Sequence, residues 1–145
     1  MPFMWADALQ AAERAHLFRL AIWGGASLFV GISLLVLLRA KGHRSALLEH
    51  FGIQTGAWGA VDLMRALLAL RSVDLRDLAA ATRLDRFLWL SVGLDIGFVM
   101  VGITLLAIGW RLARHPGFTG AGIAVIAQGG ALALLNLVLA GQIFR

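Results

Sequence analysis

The chain has 145 residues, 60% apolar and 14% charged, with a mean hydropathy of +0.83. Soluble domains carry about 45–50% apolar and about 25% charged residues, so this composition excludes a disordered chain and argues against a soluble enzyme. The absence of cysteine excludes disulfide frameworks, thiolate catalysis, iron–sulfur clusters and cysteine zinc sites; the net charge of +5, in a chain this apolar, points to loops beside anionic headgroups and not to nucleic acid.

In chain order, residues 4–16 have the pattern of an amphipathic helix, with Trp5, Leu9, Ala12 and His16 on one face and Asp7, Gln10 and Arg14 opposite. We assign an interfacial helix to residues 1–16, lying on the membrane surface and running into the first span. Asp7 and Glu13 precede the apolar run, with no basic start and no small-residue cleavage site, so a cleaved signal is not expected. Leu20 to Leu38 carries no charge and is long enough to cross about 30 Å of hydrocarbon. The region Ala46 to Leu70 contains Glu49, His50, Asp62 and Arg65, yet Phe51 to Val61 is uncharged and the loops on both sides are short. Phe87 to Trp110 carries one charge, Asp95, and the chain from Pro116 onward carries none before Arg145. These runs predict an all-α fold, a four-helix transmembrane bundle in one integral membrane domain (1–145), with spans at about 17–39, 46–70, 87–110 and 119–142.

Punctuation is expected at several ends. Ser45 caps the second helix, and Thr82-Arg83-Leu84-Asp85 resembles a capping box before the third. Asp74 to Ala81 reads as a second short interfacial helix. Arg111, Arg114 and His115 suit a helix C-terminus, Pro116-Gly117 stops that helix, and Thr119 caps the fourth. Trp23, Trp89 and Trp110 fall near span ends, as an aromatic belt requires. Four spans place both termini on one side, with Arg14, Arg19, Arg71, Arg76, Arg83, Arg86 and Arg145. Arg39, Lys41, Arg44, Arg111 and Arg114 fall on the other, and the larger basic set favours cytoplasmic termini.

Helices in lipid associate through close backbone contact at small residues. Gly52-xxx-Gly56 and Gly93-xxx-Gly97 supply such sites, with Gly24, Gly25 and Gly31 in the first span and Gly129-Gly130 in the fourth. Ser91, Asp95, Gly102 and Gly109 line one seam of the third span. Packing within the chain is the expected use of these glycines, ahead of dimerisation.

Counting depth at 1.5 Å per residue places Asp62, Arg65, Asp95 and Asn136 about 5–10 Å from the midplane on the side of the termini, in one polar layer. Asp62 and Arg65 are spaced for an i, i+3 pair. Gln54 and Gln128 fall on the opposite side of the midplane. His50, Gln54, Trp58, Asp62 and Arg65 form a stripe expected to face the bundle. The layer reads either as a proton or ion relay through Asp62 and Asp95, or as an Asp95–Arg65–Asp62 network that fixes helix register. The second reading is favoured, because no continuous polar track reaches both faces. One arginine for two aspartates leaves one carboxyl expected to carry a proton.

His43, His50 and His115 fall on the side opposite the termini, and His16 on theirs. Neutral imidazole ligates haem iron or chlorophyll magnesium, but only His50 falls inside a span, so a bis-histidine haem is not expected and His50 alone stands as a pigment or haem candidate. No metal site is expected, and nothing resembles a phosphate loop, a zinc-protease motif or a serine triad. Arg39 to Arg44 reads as an anchor for anionic lipid.

Three stretches carry a resemblance: Ile22 to Gly31 (IWGGASLFVG), Glu49 to Asp62 (EHFGIQTGAWGAVD), and Gly93 to Gly97 (GLDIG) followed by Ala127 to Gly130 (AQGG). In order and spacing they resemble an uncharacterised family of small four-helix bacterial membrane proteins, over nearly the whole chain. The resemblance implies the four-helix fold and assigns no activity. Asp62 stands where that family's pattern has asparagine, and Leu135-Asn136 where it has an aromatic–acidic pair.

The functional expectation is a non-catalytic integral membrane protein, a structural or accessory subunit of a larger complex of respiratory or photosynthetic type. Its partners would be membrane lipids and other membrane subunits, in a bacterial inner membrane. The alternatives are a small proton, ion or solute transporter built on Asp62 and Asp95, and a pigment- or haem-binding protein using His50.

Overall fold

The computed structural model describes residues 3–112 and 114–143, so Arg145, counted above with the cations on the terminal side, and the first two residues of the expected interfacial helix lie outside the described residues. Among the described residues the only regular secondary structure is helical. Helix α1 spans Phe3–Ala40, α2 Ala46–Leu70, α3 Leu78–Ala107 and α4 Pro116–Ala140, and a wide π-helical turn, Ile108–Leu112, extends α3. Helices α1, α3 and α4 are long and apolar enough to cross a membrane. Helix α2 has the same 25 residues as α4 but carries Glu49, Asp62 and Arg65.

Helix α1 is one unbroken helix of 38 residues, about 57 Å, and outruns the hydrocarbon thickness of about 30 Å. The expected interfacial helix is therefore the first turns of α1. Its apolar face is used inside the protein and not on lipid. Leu9 packs with Ala81, Leu88, Leu139 and Ile143, while Trp5 donates from Nε1 to the Ile143 carbonyl at 3.1 Å.

The chain closes α1 by local chemistry. Gly42 has φ +64°, a left-handed conformation that glycine adopts without steric cost. It lets His43 N–H reach the Leu38 carbonyl at 3.0 Å and Gly42 N–H reach that of Arg39 at 3.2 Å, the Schellman arrangement. Ser45 then caps α2, accepting from Leu48 N–H.

Helix α3 begins earlier than the charge pattern suggested. Asp77 is its N-cap, accepting from Ala80 N–H at 2.7 Å, so the expected interfacial helix at 74–81 is a loop followed by the first turn of α3. Thr82 is not a cap; its hydroxyl donates back to the Leu78 carbonyl inside the helix. Likewise Pro116 opens α4 instead of merely stopping α3, with His115 at the N-cap, and Thr119 sits inside the helix. Proline suits that first position because its φ is preset and its missing N–H would have had no partner there.

Two antiparallel hairpins, α1–α2 and α3–α4, meet along α2 and α4, and among the described residues no backbone contact joins α2 to α3. The hairpins close on glycine. A methyl group added at Gly31 would come within 2.5 Å of the Gly56 nitrogen, and one at Gly102 within 2.8 Å of the Ile126 nitrogen. At Gly120 it would strike the Leu47 carbonyl, which brings α4 against the start of α2. Large apolar side chains such as Ile22, Phe29, Leu90, Leu94 and Met100 point outward, while Ser27, Thr55, Asp62, Asp95 and Gln128 are buried. This distribution suits a bundle whose solvent is lipid: apolar surface costs nothing outside, and small or polar residues hold the interior.

Candidate functional site

The interior polar groups form the candidate site. Asp95 on α3 and Asn136 on α4 are joined by a 2.8 Å hydrogen bond from Asn136 Nδ2 to Asp95 Oδ2. Each Cβ leans toward its own helix N-terminus, so on antiparallel helices these two side chains lean toward each other. Asp62 is fully buried on α2, and Arg65 Nη1 lies 3.7 Å from its Oδ1. That separation is an ion pair without a hydrogen bond. Both Asp62 carboxylate oxygens lack a hydrogen-bond partner among the described residues.

The four residues expected in one layer are thus held as two pairs. Arg65 lies within Coulombic range of both carboxylates, and Asp62 within range of Asp95. The expected Asp95–Arg65–Asp62 chain is not a continuous ion-pair network: among the described residues Arg65 bridges to Asp62 alone, and Asp95 is held by an amide.

The layer has a floor and a mouth. Toward the bundle centre, Trp58 stacks edge-on against Phe98 with ring centroids 5.1 Å apart. Trp23 donates from Nε1 to Gln128 Oε1 at 2.6 Å. Trp23 is therefore not in the aromatic belt. The contacts of Gly24 with Gly59 and Leu63 set it within a turn of Asp62, away from the helix ends, and its indole reaches Gln128. Toward the termini the helices border a half-open cavity of about 660 Å³ that reaches Arg65 and Asn136 and is also lined by Glu13, His16, Arg76 and Arg83.

Four polar residues of this cavity, Glu13, His16, Arg76 and Arg83, escaped the sequence reading as site candidates. Arg76, in the loop before α3, makes two hydrogen bonds to Glu13 on α1, Nη2 to Oε1 at 2.6 Å and Nε to Oε2 at 2.8 Å. This fork-to-carboxylate geometry holds the Arg76 guanidinium above its ordinary pKa, against a smaller opposing effect of burial. His16 is buried, and its Nδ1 lies 3.1 Å from the Leu135 carbonyl. Glu13 and Arg76 are 63 residues apart, and no local signal links them; only the face shared by Trp5, Leu9, Ala12 and His16 hinted that this part of α1 is covered.

The second-helix stripe is not uniformly inward. Asp62 is buried and Trp58 and Gln54 are half-buried, but His50 is exposed and the Arg65 side chain is 51% exposed. His50 meets His115 with ring centroids 6.3 Å apart, and both rings sit over Gly117, where a methyl group would come within 2.8 Å of His50. The two histidines thus lie together at the end opposite the polar cavity. Among the described residues no group of three or more histidine, cysteine, aspartate or glutamate side chains gathers as a metal site.

The glycines divide by use. Gly52, Gly56 and Gly102 lie buried against neighbouring helices, whereas methyl groups at Gly93 and Gly97 would meet nothing, and both positions are exposed. The expectation of packing within the chain fails for that second pair, because α3 turns its other face to α4.

A family profile matches residues 19–137, most of the chain. The chain belongs to DUF6992, a family of unknown function. No curated protein and no solved structure matches it. The part shared with DUF6992 contains Asp62, Arg65, Asp95 and Asn136, while Glu13 and His16 precede it. The polar layer is therefore built in the DUF6992 region, and one wall of the cavity beneath it comes from the N-terminal turns of α1.

Proposed function

We propose that this DUF6992 protein crosses a bacterial inner membrane four times, with its termini in the cytoplasm, and serves as a non-catalytic accessory subunit of a larger membrane complex. The observation that carries the reading is the outward face of α3. Gly93 and Gly97 expose backbone four residues apart, with open space beyond both, among exposed Leu94, Ile96 and Val101. Elsewhere in this bundle such glycines bring two backbones together, and in lipid this small-xxx-small pattern favours a second helix. The partner of this face is a transmembrane helix of another subunit. The polar layer, in this reading, sets the register of the four helices. Extraction in mild detergent followed by native gel and mass spectrometry tests it. Migration within a larger assembly is expected; a lone 15.6 kDa species would contradict it.

A second reading, a small proton or solute transporter, is favoured by one observation. The cavity gives access from the terminal side to Arg65 and Asn136, the partners of the two buried carboxylates. The Trp58–Phe98 and Trp23–Gln128 contacts stand between that cavity and the other end, so a transporter would have to open them. Flux in reconstituted vesicles, lost in Asp95→Asn, would support this reading; unchanged flux would remove it.

A further inference from the structure

The cavity at the terminal end has the size of a ligand site, about 660 Å³ against about 300–1,000 Å³ for typical small-molecule pockets. Its chemistry is divided. Leu20, Leu88 and Leu132 form an apolar wall, and Arg65, Arg76 and Arg83 bring three guanidinium groups to it against one carboxylate, Glu13. Glu13 is occupied by two hydrogen bonds from Arg76. Arg65 approaches Asp62 only at 3.7 Å, and Arg83 makes no ion pair among the described residues. A guanidinium carries five N–H donors in a planar fork that matches a phosphate. Donors on Arg65 and Arg83 are therefore left for a ligand.

The cavity also has a side door. Helices α2 and α3 make no backbone contact among the described residues, and Leu68 and Phe87, which line the cavity, are both 56% exposed. These apolar side chains stand on the lipid-facing surface, so a hydrocarbon chain can pass between the helices while its head stays inside.

We propose that this cavity binds an amphiphile with a phosphate head and an acyl chain, the head held by Arg65 and Arg83 and the chain leaving between Leu68 and Phe87. The site is distinct from the Arg39–Arg44 anchor, which lies at the opposite end of the bundle, and it does not depend on the partner subunit proposed above.

The test uses the purified full chain in neutral detergent and native mass spectrometry with phosphatidylglycerol, phosphatidylcholine and inorganic phosphate as separate probes. Phosphatidylglycerol is expected to remain bound at least ten times more tightly than phosphatidylcholine. Arg83→Gln, at an exposed position without an ion pair among the described residues, is expected to remove that preference, and Ala69→Phe, which fills the cavity, to remove binding. Arg111→Gln, exposed at the other end and outside the Arg39–Arg44 anchor, is expected to change neither. Circular dichroism checks that each variant folds. Equal binding of the two lipids, retention by Arg83→Gln, or equal loss in Arg111→Gln would overturn the site. Arg83-dependent binding of inorganic phosphate without the lipid would overturn the amphiphile.

Discussion

Asn136 on α4 donates to Asp95 on α3 across 2.8 Å, in the interior of a bundle that turns large apolar side chains such as Phe29, Leu94 and Met100 outward. The contact ties the two helices at one height and gives a buried carboxylate its one hydrogen bond among the described residues. Replacing Asn136 by leucine leaves Asp95 without it. Interhelical hydrogen bonds in membranes contribute about 0.6–1.7 kcal/mol, so Asn136→Leu is expected to lower stability by at least that amount. The double variant Asp95→Leu/Asn136→Leu should recover most of the loss. Unfolding in mixed micelles, analysed as a double-mutant cycle, measures both; additive losses would mean the pair is uncoupled.

The glycines make opposite predictions on the two faces. At Gly31 a methyl group meets the Gly56 backbone within 2.5 Å, and neither backbone can give way without separating α1 from α2. Overpacking of this kind costs about 1–3 kcal/mol, so Gly31→Ala is expected to melt earlier. At Gly97 there is open space, so Gly97→Ala should leave the isolated chain unchanged or raise its stability by up to about 1 kcal/mol through helix propensity. Thermal melts of the two variants side by side give the comparison, and equal destabilisation would place Gly97 in the chain's own packing.

The Glu13–Arg76 fork anchors the loop between α2 and α3 to the N-terminal turns of α1. The Glu13 side chain is only 9% exposed and that of Arg76 29%, so removing the Glu13 charge leaves a half-buried guanidinium short of a partner. Glu13→Gln is expected to cost about 1.5–3 kcal/mol and to speed proteolysis in the 71–77 loop. Arg76→Lys should not rescue it, because an ammonium cannot make both bonds of the fork. Limited proteolysis of the three proteins decides this, and equal rates would show that the loop is held by other contacts.

Charge spacing made the helices legible and left their ends obscure. A run without charges marks where hydrocarbon begins, not where a helix begins. The charged turns around Glu13 and Arg14, and around Arg83, Asp85 and Arg86, therefore looked like boundaries, although they continue α1 and lead α3. The cap is Asp77, ahead of Leu-Ala-Ala-Ala, which the charge pattern did not single out. Depth counting brought Asp95 and Asn136 together, because rise per residue is fixed in a helix. It could not choose Arg65's partner, which depends on side-chain direction. The Glu13–Arg76 and His16–Leu135 contacts join segments distant in sequence, and only the folded arrangement reveals them. The Gly93-xxx-Gly97 spacing announced a close-approach surface, but a spacing names a face and not what covers it.

That face carries the account's central claim, and site-specific photo-cross-linking in native membranes tests it most directly. A photoreactive residue is placed at position 97, with a control at Phe29 on the exposed face of α1. The account predicts that position 97 yields a protein adduct to a different polypeptide and that position 29 yields lipid adducts alone. Lipid adducts alone from position 97, or an adduct only to a second copy of the 15.6 kDa chain, would contradict it.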